Sequence, residues 1–373
     1  LFVRKPARLR TRLPIQQGLE SLEDRKLPAT FTVSNLLDNG SNGSLRWAVG
    51  QANATPGADD IVFQSGLTGT ITLGGTQLDL TDGSGATTIT GPGADLLTID
   101  GNNASRIFYV GSDVSATLAG LTLTRGYVPV AFGGAILSDG DLTVLQSAIR
   151  GNSADYGGGI SANGSVTVTQ STVSGNTANF IGGGIYANTA IVTQSTVSGN
   201  TADYGGGISA NSSVTASNSL IVGNTASNSD PDVRGSISDA GGSLIGVPNG
   251  FTLGQVVQVD GNGKPLLADN GGPTQTIALV PGSPAINAGD NSLAVDANNQ
   301  PFTTDQRGAP FTRLSGVVDI GAYEAQSLSL VVDTAVDEND GNYAPGDLSL
   351  REAIALANAN PGADTITFGD GSA

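Results

Sequence analysis

Residues 159–176 read Gly-Ile-Ser-Ala-Asn-Gly-Ser-Val-Thr-Val-Thr-Gln-Ser-Thr-Val-Ser-Gly-Asn, and this stretch decides the fold. Within it Ser165-Val166-Thr167-Val168-Thr169 alternates hydroxyl and small apolar side chains, the period-2 pattern of a strand with one buried face. Gly and Asn punctuate the runs, and nothing there is long or apolar enough for a helix. Outward from this stretch the same punctuation returns. Gly151-Asn152, Gly175-Asn176, Gly199-Asn200 and Gly223-Asn224 are 24 apart, as are Gln146, Gln170, Gln194 and Asn218. Glycine-rich stretches ending in Ile136, Ile160, Ile185 and Ile208 are spaced 24, 25 and 23, so a turn absorbs small insertions. Each repeat therefore predicts one coil of two or three short strands. Stacked coils place equivalent residues about 4.8 Å apart in parallel ladders and bury Ile and Val in one continuous core. The expected fold is all-β, a right-handed parallel β-helix.

Thr70 to Leu73, Thr87 to Thr90, Leu97 to Asp100 and Leu118 to Leu123 read as irregular coils of the same kind. An open-ended solenoid must protect its edges from pairing. Residues 44–54, Ser-Leu-Arg-Trp-Ala-Val-Gly-Gln-Ala-Asn-Ala, start at an N-capping Ser and stop before Pro56-Gly57, which predicts a helix that plugs the first coil. The expected organisation is a basic leader or linker over 1–29 and a β-helix over 30–245. A β-rich C-terminal cap over 246–326 and the start of a second, truncated solenoid over 327–373 follow.

The chain has no Cys, His or Met and 54 Gly. Without Cys or His there is no thiol nucleophile, imidazole base or thiolate or imidazole metal site, and only carboxylate, hydroxyl, Lys, Arg and Tyr chemistry remains. The absence of disulfides fits an exported bacterial protein stabilised by repetition. Net charge is −17, yet seven of 16 basic residues lie in the first 26 positions against three acids, so the body carries −21. Such a body repels nucleic acid and anionic membranes. No apolar run reaches the ~18 residues of a membrane helix, and the leader lacks the apolar core of a secretory signal. With no initiator Met either, the chain reads as a fragment of something longer.

Residues 349–368 match 44–63 at 13 of 20 positions with a constant offset of 305. Both copies resemble the Cys-Ser-Leu-Arg-Glu-Ala (CSLREA) entry motif at the start of β-helical domains in bacterial surface proteins, with Gly43 and Leu348 at the Cys position and Trp47 in place of the first Glu. Gly133-Gly134-Ala135-Ile136 and its later copies, followed by Ser-Gly-Asn-Thr-Ala, resemble the repeats of polymorphic outer-membrane proteins. Residues 270–324 resemble the choice-of-anchor Q domain through Gly271-Gly272-Pro273-Thr274-Gln275-Thr276, Pro281-Gly282-Ser283-Pro284-Ala285-Ile286, Thr304-Asp305-Gln306-Arg307-Gly308 and Asp319-Ile320-Gly321-Ala322-Tyr323-Glu324, with Ile277 where that family often has His. Residues 19–27 resemble the Leu-Glu-Pro-Arg type motif of planctomycete exported proteins, with Ser21 in place of its Pro. These resemblances imply a pectate-lyase-like (pectin lyase-like) solenoid in a secreted or cell-surface bacterial protein, outer-membrane or extracellular, seldom an enzyme.

Three groups of residues are candidate sites. Asp155, Asn179 and Asp203 are 24 apart, as are Tyr156, Phe180 and Tyr204. An acidic row beside an aromatic row suits calcium or a sugar chain, while repeated turn chemistry and an aromatic ladder explain the same pattern. The row Asn152, Asn176, Asn200 and Asn224 reads as a structural ladder of side-chain amides bonded from coil to coil. Asp290, Asp305, Arg307, Asp319 and Glu324 concentrate charge near the C-terminus, either as a carboxylate pair for glycoside hydrolysis or as a motif held by an Arg307 ion pair. The expectation is a non-catalytic structural or adhesive scaffold that binds polysaccharide or other cells, without nucleic acid. The competing expectation is a β-helical polysaccharide lyase or glycoside hydrolase, for which Arg125 and Arg150 are the candidate proton-abstracting residues. A ligand-free spacer is the third.

Overall fold

A computed structural model of the chain describes residues 28–369 apart from 297, 315, 340–346, 361 and 363; the basic leader and its 19–27 motif lie outside the described residues. Parallel coils of about 24 residues stack into a right-handed β-solenoid of about eight turns. Each regular coil contributes one strand to each of three sheets. Ile160–Thr169, Ile185–Thr193 and Ile208–Ser217 pair in the first, Thr172–Ser174, Thr196–Ser198 and Leu220–Val222 in the second, and Ser153–Tyr156, Thr177–Ile181 and Thr201–Tyr204 in the third.

The punctuation residues are the corners. Gln146, Gln170, Gln194 and Asn218 turn the chain from first sheet to second with φ between 44° and 48°. Gly151, Gly175, Gly199 and Gly223 make the next corner at φ 63–72°. At the third corner a side chain on Gly158, Gly183 or Gly206 would collide with the carbonyl oxygens of Thr177, Thr201 and Thr225, which is why these glycines repeat. Between corners the alternation works as a strand should. Val166, Val168, Val192 and Val214 point inward, fully buried, and pack with Val173, Val197 and Ile221 from the second sheet.

Helix α1 (Leu45–Ala54) lays Leu45, Ala48, Val49 and Ala52 on the first coil, and Ser44 accepts a hydrogen bond from the Trp47 amide. Helix α2 (Leu350–Ala359) repeats this beside the parallel pair Ser329–Val332 and Thr365–Phe368. Here Glu352 completes a reciprocal capping box with Ser349. In the first copy Trp47 takes that position and meets Phe31 edge-on at 6.3 Å instead. The Arg-to-Asp pair beside the helix is kept in both copies, as Arg46–Asp38 and Arg351–Asp337.

Residues 246–326 cover the solenoid along its side. Their backbone and side chains run over the outer face of the second sheet. The Thr172 hydroxyl meets Gln306 Oε1 at 2.6 Å, the Ala322 amide donates to Thr196 Oγ1, and Asn218 exchanges two hydrogen bonds with the Asp290 backbone. Leu220 and Val222 share a core with Val256, Val257, Ile277, Leu279 and Ile320. Strands of this sheet are therefore buried on both faces. The last coil stays open. Val233–Gly241 is largely exposed, Ile237 is 46% exposed, and Asp239 stands in the inward row after Ala216. A charge in that row discourages further strands from adding to the edge.

Candidate functional site

Phe132, Tyr156, Phe180 and Tyr186 gather where the third sheet folds back toward the first. Phe132 stacks on Tyr156 at 4.8 Å, Tyr156 meets Phe180 at 5.5 Å, and Tyr186 lies 6.4 and 6.0 Å from Phe132 and Tyr156. Ser161, the register partner of Tyr186, is fully buried. Because Phe132 and Tyr156 cover each other's faces, the cluster presents ring edges and end faces to solvent. Phe132 and Phe180 remain 41% and 46% exposed.

Counting by 24 places Tyr156, Phe180 and Tyr204 in one row, and the structure corrects this. The strand register pairs Tyr156 with Ile181 and Ile181 with Tyr204, across bulges that take up the 25- and 23-residue spacings. Phe180 is the extra residue. Tyr204 lies apart from the stack, under the Arg234 guanidinium at 5.6 Å. Phe132, one 24-residue interval before Tyr156 and bridged to it, belongs to the cluster as well; Tyr186 joins from the first sheet and so escapes the 24-residue count. Its signal in the sequence is position: it follows Ile185 as Ser161 follows Ile160.

Asp155, Asn179 and Asp203 are likewise not three equal ligands. The Asn179 amide donates to Asp155 Oδ1 at 2.6 Å; Asp155 is buried, Asn179 exposed and Asp203 half-buried. Among the described residues no group of three or more acidic side chains converges, here or elsewhere. A second polar strip borders the aromatic cluster. Asp139, Asn163, Asn188 and Asn211 supply one polar side chain per coil at the surface; Asp139 accepts from Tyr109 and Asn163, and Asn211 donates to the Tyr186 hydroxyl.

The row Asn152, Asn176, Asn200 and Asn224 lies inside. Each Nδ2 donates 2.9 Å to the Oδ1 of the next member, and that Oδ1 also takes the preceding member's backbone amide. Asn224 ends the run on Asp232, which accepts both groups. Burial raises the Asp232 pKa, and the bonds from Asn224 act against that rise. A parallel ladder of Ser147, Ser171, Ser195, Ser219 and Ser243 escaped the sequence reading. Ser147 Oγ accepts the Leu121 amide, and each later hydroxyl accepts the backbone amide of the preceding Ser at 3.1–3.3 Å.

The charged residues of the C-terminal block form a closed cluster. Arg307 reaches both oxygens of Asp305 and lies between the Phe311 and Tyr323 rings at 3.9 and 4.0 Å. Asp319 accepts the Asn287 and Ala325 amides, Glu324 accepts the Asp319 amide, and Arg313 stands 3.5 Å from Glu324. All five are at most 2% exposed. Asp305 and Asp319, candidates for sugar cleavage from sequence, are thus locked into backbone and guanidinium bonds away from solvent. Asp290 stands apart as an exposed helix cap. Arg125 is paired with Asp100, and Arg150 sits on the second sheet with its Nε buried and unpartnered.

Burial pushes the Glu324 pKa up to about 8, against the pull of Arg313. The native state therefore holds this proton more tightly than the unfolded chain, whose Glu titrates near 4.3. Its stabilisation is fully present below about pH 4 and is lost as pH rises toward 8. Urea midpoints should fall between pH 5 and 8. Glu324→Gln should flatten that decline; a decline of equal slope in the variant would assign it elsewhere. Asp319, also raised by burial, adds a slope of the same sign.

The chain has no significant match among protein-family models, curated proteins or solved structures. No helix among the described residues is long and apolar enough to cross a membrane.

Proposed function

We propose that the chain is a non-catalytic scaffold of a secreted or cell-surface bacterial protein that binds polysaccharide along the strip beside its aromatic cluster. One observation carries this reading: four rings, linked through Tyr156 and Phe132 at centroid distances of 4.8–6.4 Å, open to solvent and are bordered, once per coil, by the side chains of Asp139, Asn163, Asn188 and Asn211. Exposed aromatic edges and end faces offer the apolar C–H faces of sugars a contact that water does not. Amides and carboxylates supply donors and acceptors to the hydroxyls. Coil spacing of about 4.8 Å repeats that chemistry along the axis, so an extended chain meets the same partners again and again. The resemblances to surface-protein entry motifs, polymorphic outer-membrane repeats and the choice-of-anchor Q domain point the same way, as does a body that repels polyanions.

The test is a polysaccharide array on the purified chain, scored for retention and for release of reducing or unsaturated ends. Retention without release is expected, and Phe180→Ala should weaken it about tenfold, the scale of one aromatic contact. Release of ends would replace the scaffold with a lyase or hydrolase. Neither retention nor release would leave a spacer.

A further inference from the structure

Asp59 is a carboxylate in the wrong place for an ordinary strand residue. It shares the inward row of Thr87, Ala116 and Leu142 and is 1% exposed, and neither of its oxygens has a hydrogen-bond partner. The second entry unit shows what this position looks like when satisfied. Asp364, its counterpart at the offset of 305, accepts the Leu328 amide at 2.7 Å and the Asn360 side chain at 2.6 Å. In the first unit the Ala29 amide is spent on the Ala58 carbonyl. Thr55 stands where Asn360 stands in the second, and its hydroxyl turns back to Gln51. Asp59 has thus lost both partners that its counterpart keeps, yet remains a carboxylate.

The surroundings are acidic rather than basic. The loop 81–85 is seated directly on residues 57–58: a side chain on Gly85 would collide with the Gly57 carbonyl, and the Gly57 amide donates to Ser84 Oγ at 2.7 Å. This loop carries Asp82, whose carboxylate is oriented by the Ser84 amide and hydroxyl. Burial and the charges of Asp82 and Asp60 raise the Asp59 pKa, so the anion is destabilised by everything around it. A buried unpaired carboxylate costs several kcal/mol unless a proton or a cation neutralises it.

We propose that Asp59 and Asp82 bind a calcium ion that locks the first coil to the loop above it. A hard cation suits oxygen donors, accepts carbonyls, hydroxyls and water to complete its shell, and needs no third carboxylate. With two carboxylates the affinity belongs to the weak, extracellular range of about 10⁻⁴–10⁻³ M. The site is separate from the aromatic strip and does not depend on glycan binding.

The test uses the whole chain, dialysed against EDTA and melted with increasing calcium chloride at neutral pH. Calcium should raise the melting temperature by several degrees along a saturable curve. Asp59→Asn, isosteric and relieved of the charge, should melt no lower than the parent in EDTA and show no calcium response. Asp82→Asn should shift the curve to higher calcium, and it decides the matter if Asp59→Asn fails to fold. An absent response in the parent chain overturns the proposal, as does an equal response in both variants; the orphan carboxylate is then simply protonated.

Discussion

Replacing Asn176 by Ala should lower the unfolding free energy by about 3 kcal/mol, more than a cavity of that size would cost on a surface strand. The reason is the number of groups left without partners. Asn176 Oδ1 satisfies the backbone amide and the side-chain amide of Asn152, while its Nδ2 satisfies the Ile149 carbonyl and Asn200 Oδ1. None of these can turn to water, because Asn152, Asn176 and Asn200 are at most 1% exposed. Asn176→Asp should be at least as damaging, since a carboxylate accepts but cannot donate to the carbonyl and the next Oδ1. Changing Asn176 and Asn200 together should cost less than the sum of the single changes, because the bond between them is lost once and counted twice. Additive losses in denaturant midpoints would mean that the ladder is a set of independent turns. Glycan retention should not change in either variant.

That ladder also shows how much of the molecule a sequence carries openly. The Asn row was legible because repetition writes one structural solution four times, and the interval of 24 survives from Asn152 to Asn224. Its end was not legible. Twenty-four residues beyond Asn224 stands Pro248, and the structure uses Asp232, only eight residues on, as the acceptor that closes the run. Asp is chemically apt there because the chain of bonds points donors forward, and its last partner needs lone pairs alone. The entry helix was equally open to reading, from Ser44 as a cap and Pro56 as a stop. The Ser ladder was hidden by ambiguity. Ser beside a Gln corner reads as turn chemistry whether or not its hydroxyl spans two coils.

What interval counting misreads is register. A 25-residue repeat followed by one of 23 restores the sum while shifting everything between, and Phe180 falls inside that shift. The candidate aromatic row therefore lost Tyr204 to Arg234 and gained Phe132 and Tyr186 from neighbouring segments. Docking of residues 246–326 along the second sheet was invisible for a different reason. It rests on Thr172, Thr196, Asn218 and Gln306, polar side chains with no distinctive pattern, brought together over separations of 72 to 134 residues. Only the burial of both faces of the short second-sheet strands reveals it.

The second large effect is expected at Arg307. Arg307→Met keeps most of the side-chain volume between Phe311 and Tyr323 but removes every polar bond, and should destabilise residues 246–326 by about 3–5 kcal/mol. Asp305 would keep the backbone amides of Arg307 and Glu324 and lose its counter-charge, while the Asn270 and Glu324 carbonyls would each lose a donor. Arg307→Lys should fall between, retaining the charge without the planar fork that grips both Asp305 oxygens and stacks on two rings. Charge balance explains why the loss should be so large. With Glu324 protonated, Arg307 and Arg313 face Asp305 and Asp319, two cations to two anions in a space closed to water. Removing one cation leaves an anion that only protonation can relieve, so Arg307→Met should recover much of its stability on acidification while the parent gains less. Hydrogen exchange locates the damage. Amides of Gln306, Ala322 and Glu324 should exchange faster in Arg307→Met while first-sheet amides stay protected, if the solenoid stands without its flank. Loss of protection in both would show instead that the second sheet, whose outer face is Thr172, Thr196 and Leu220, holds its strands only when covered.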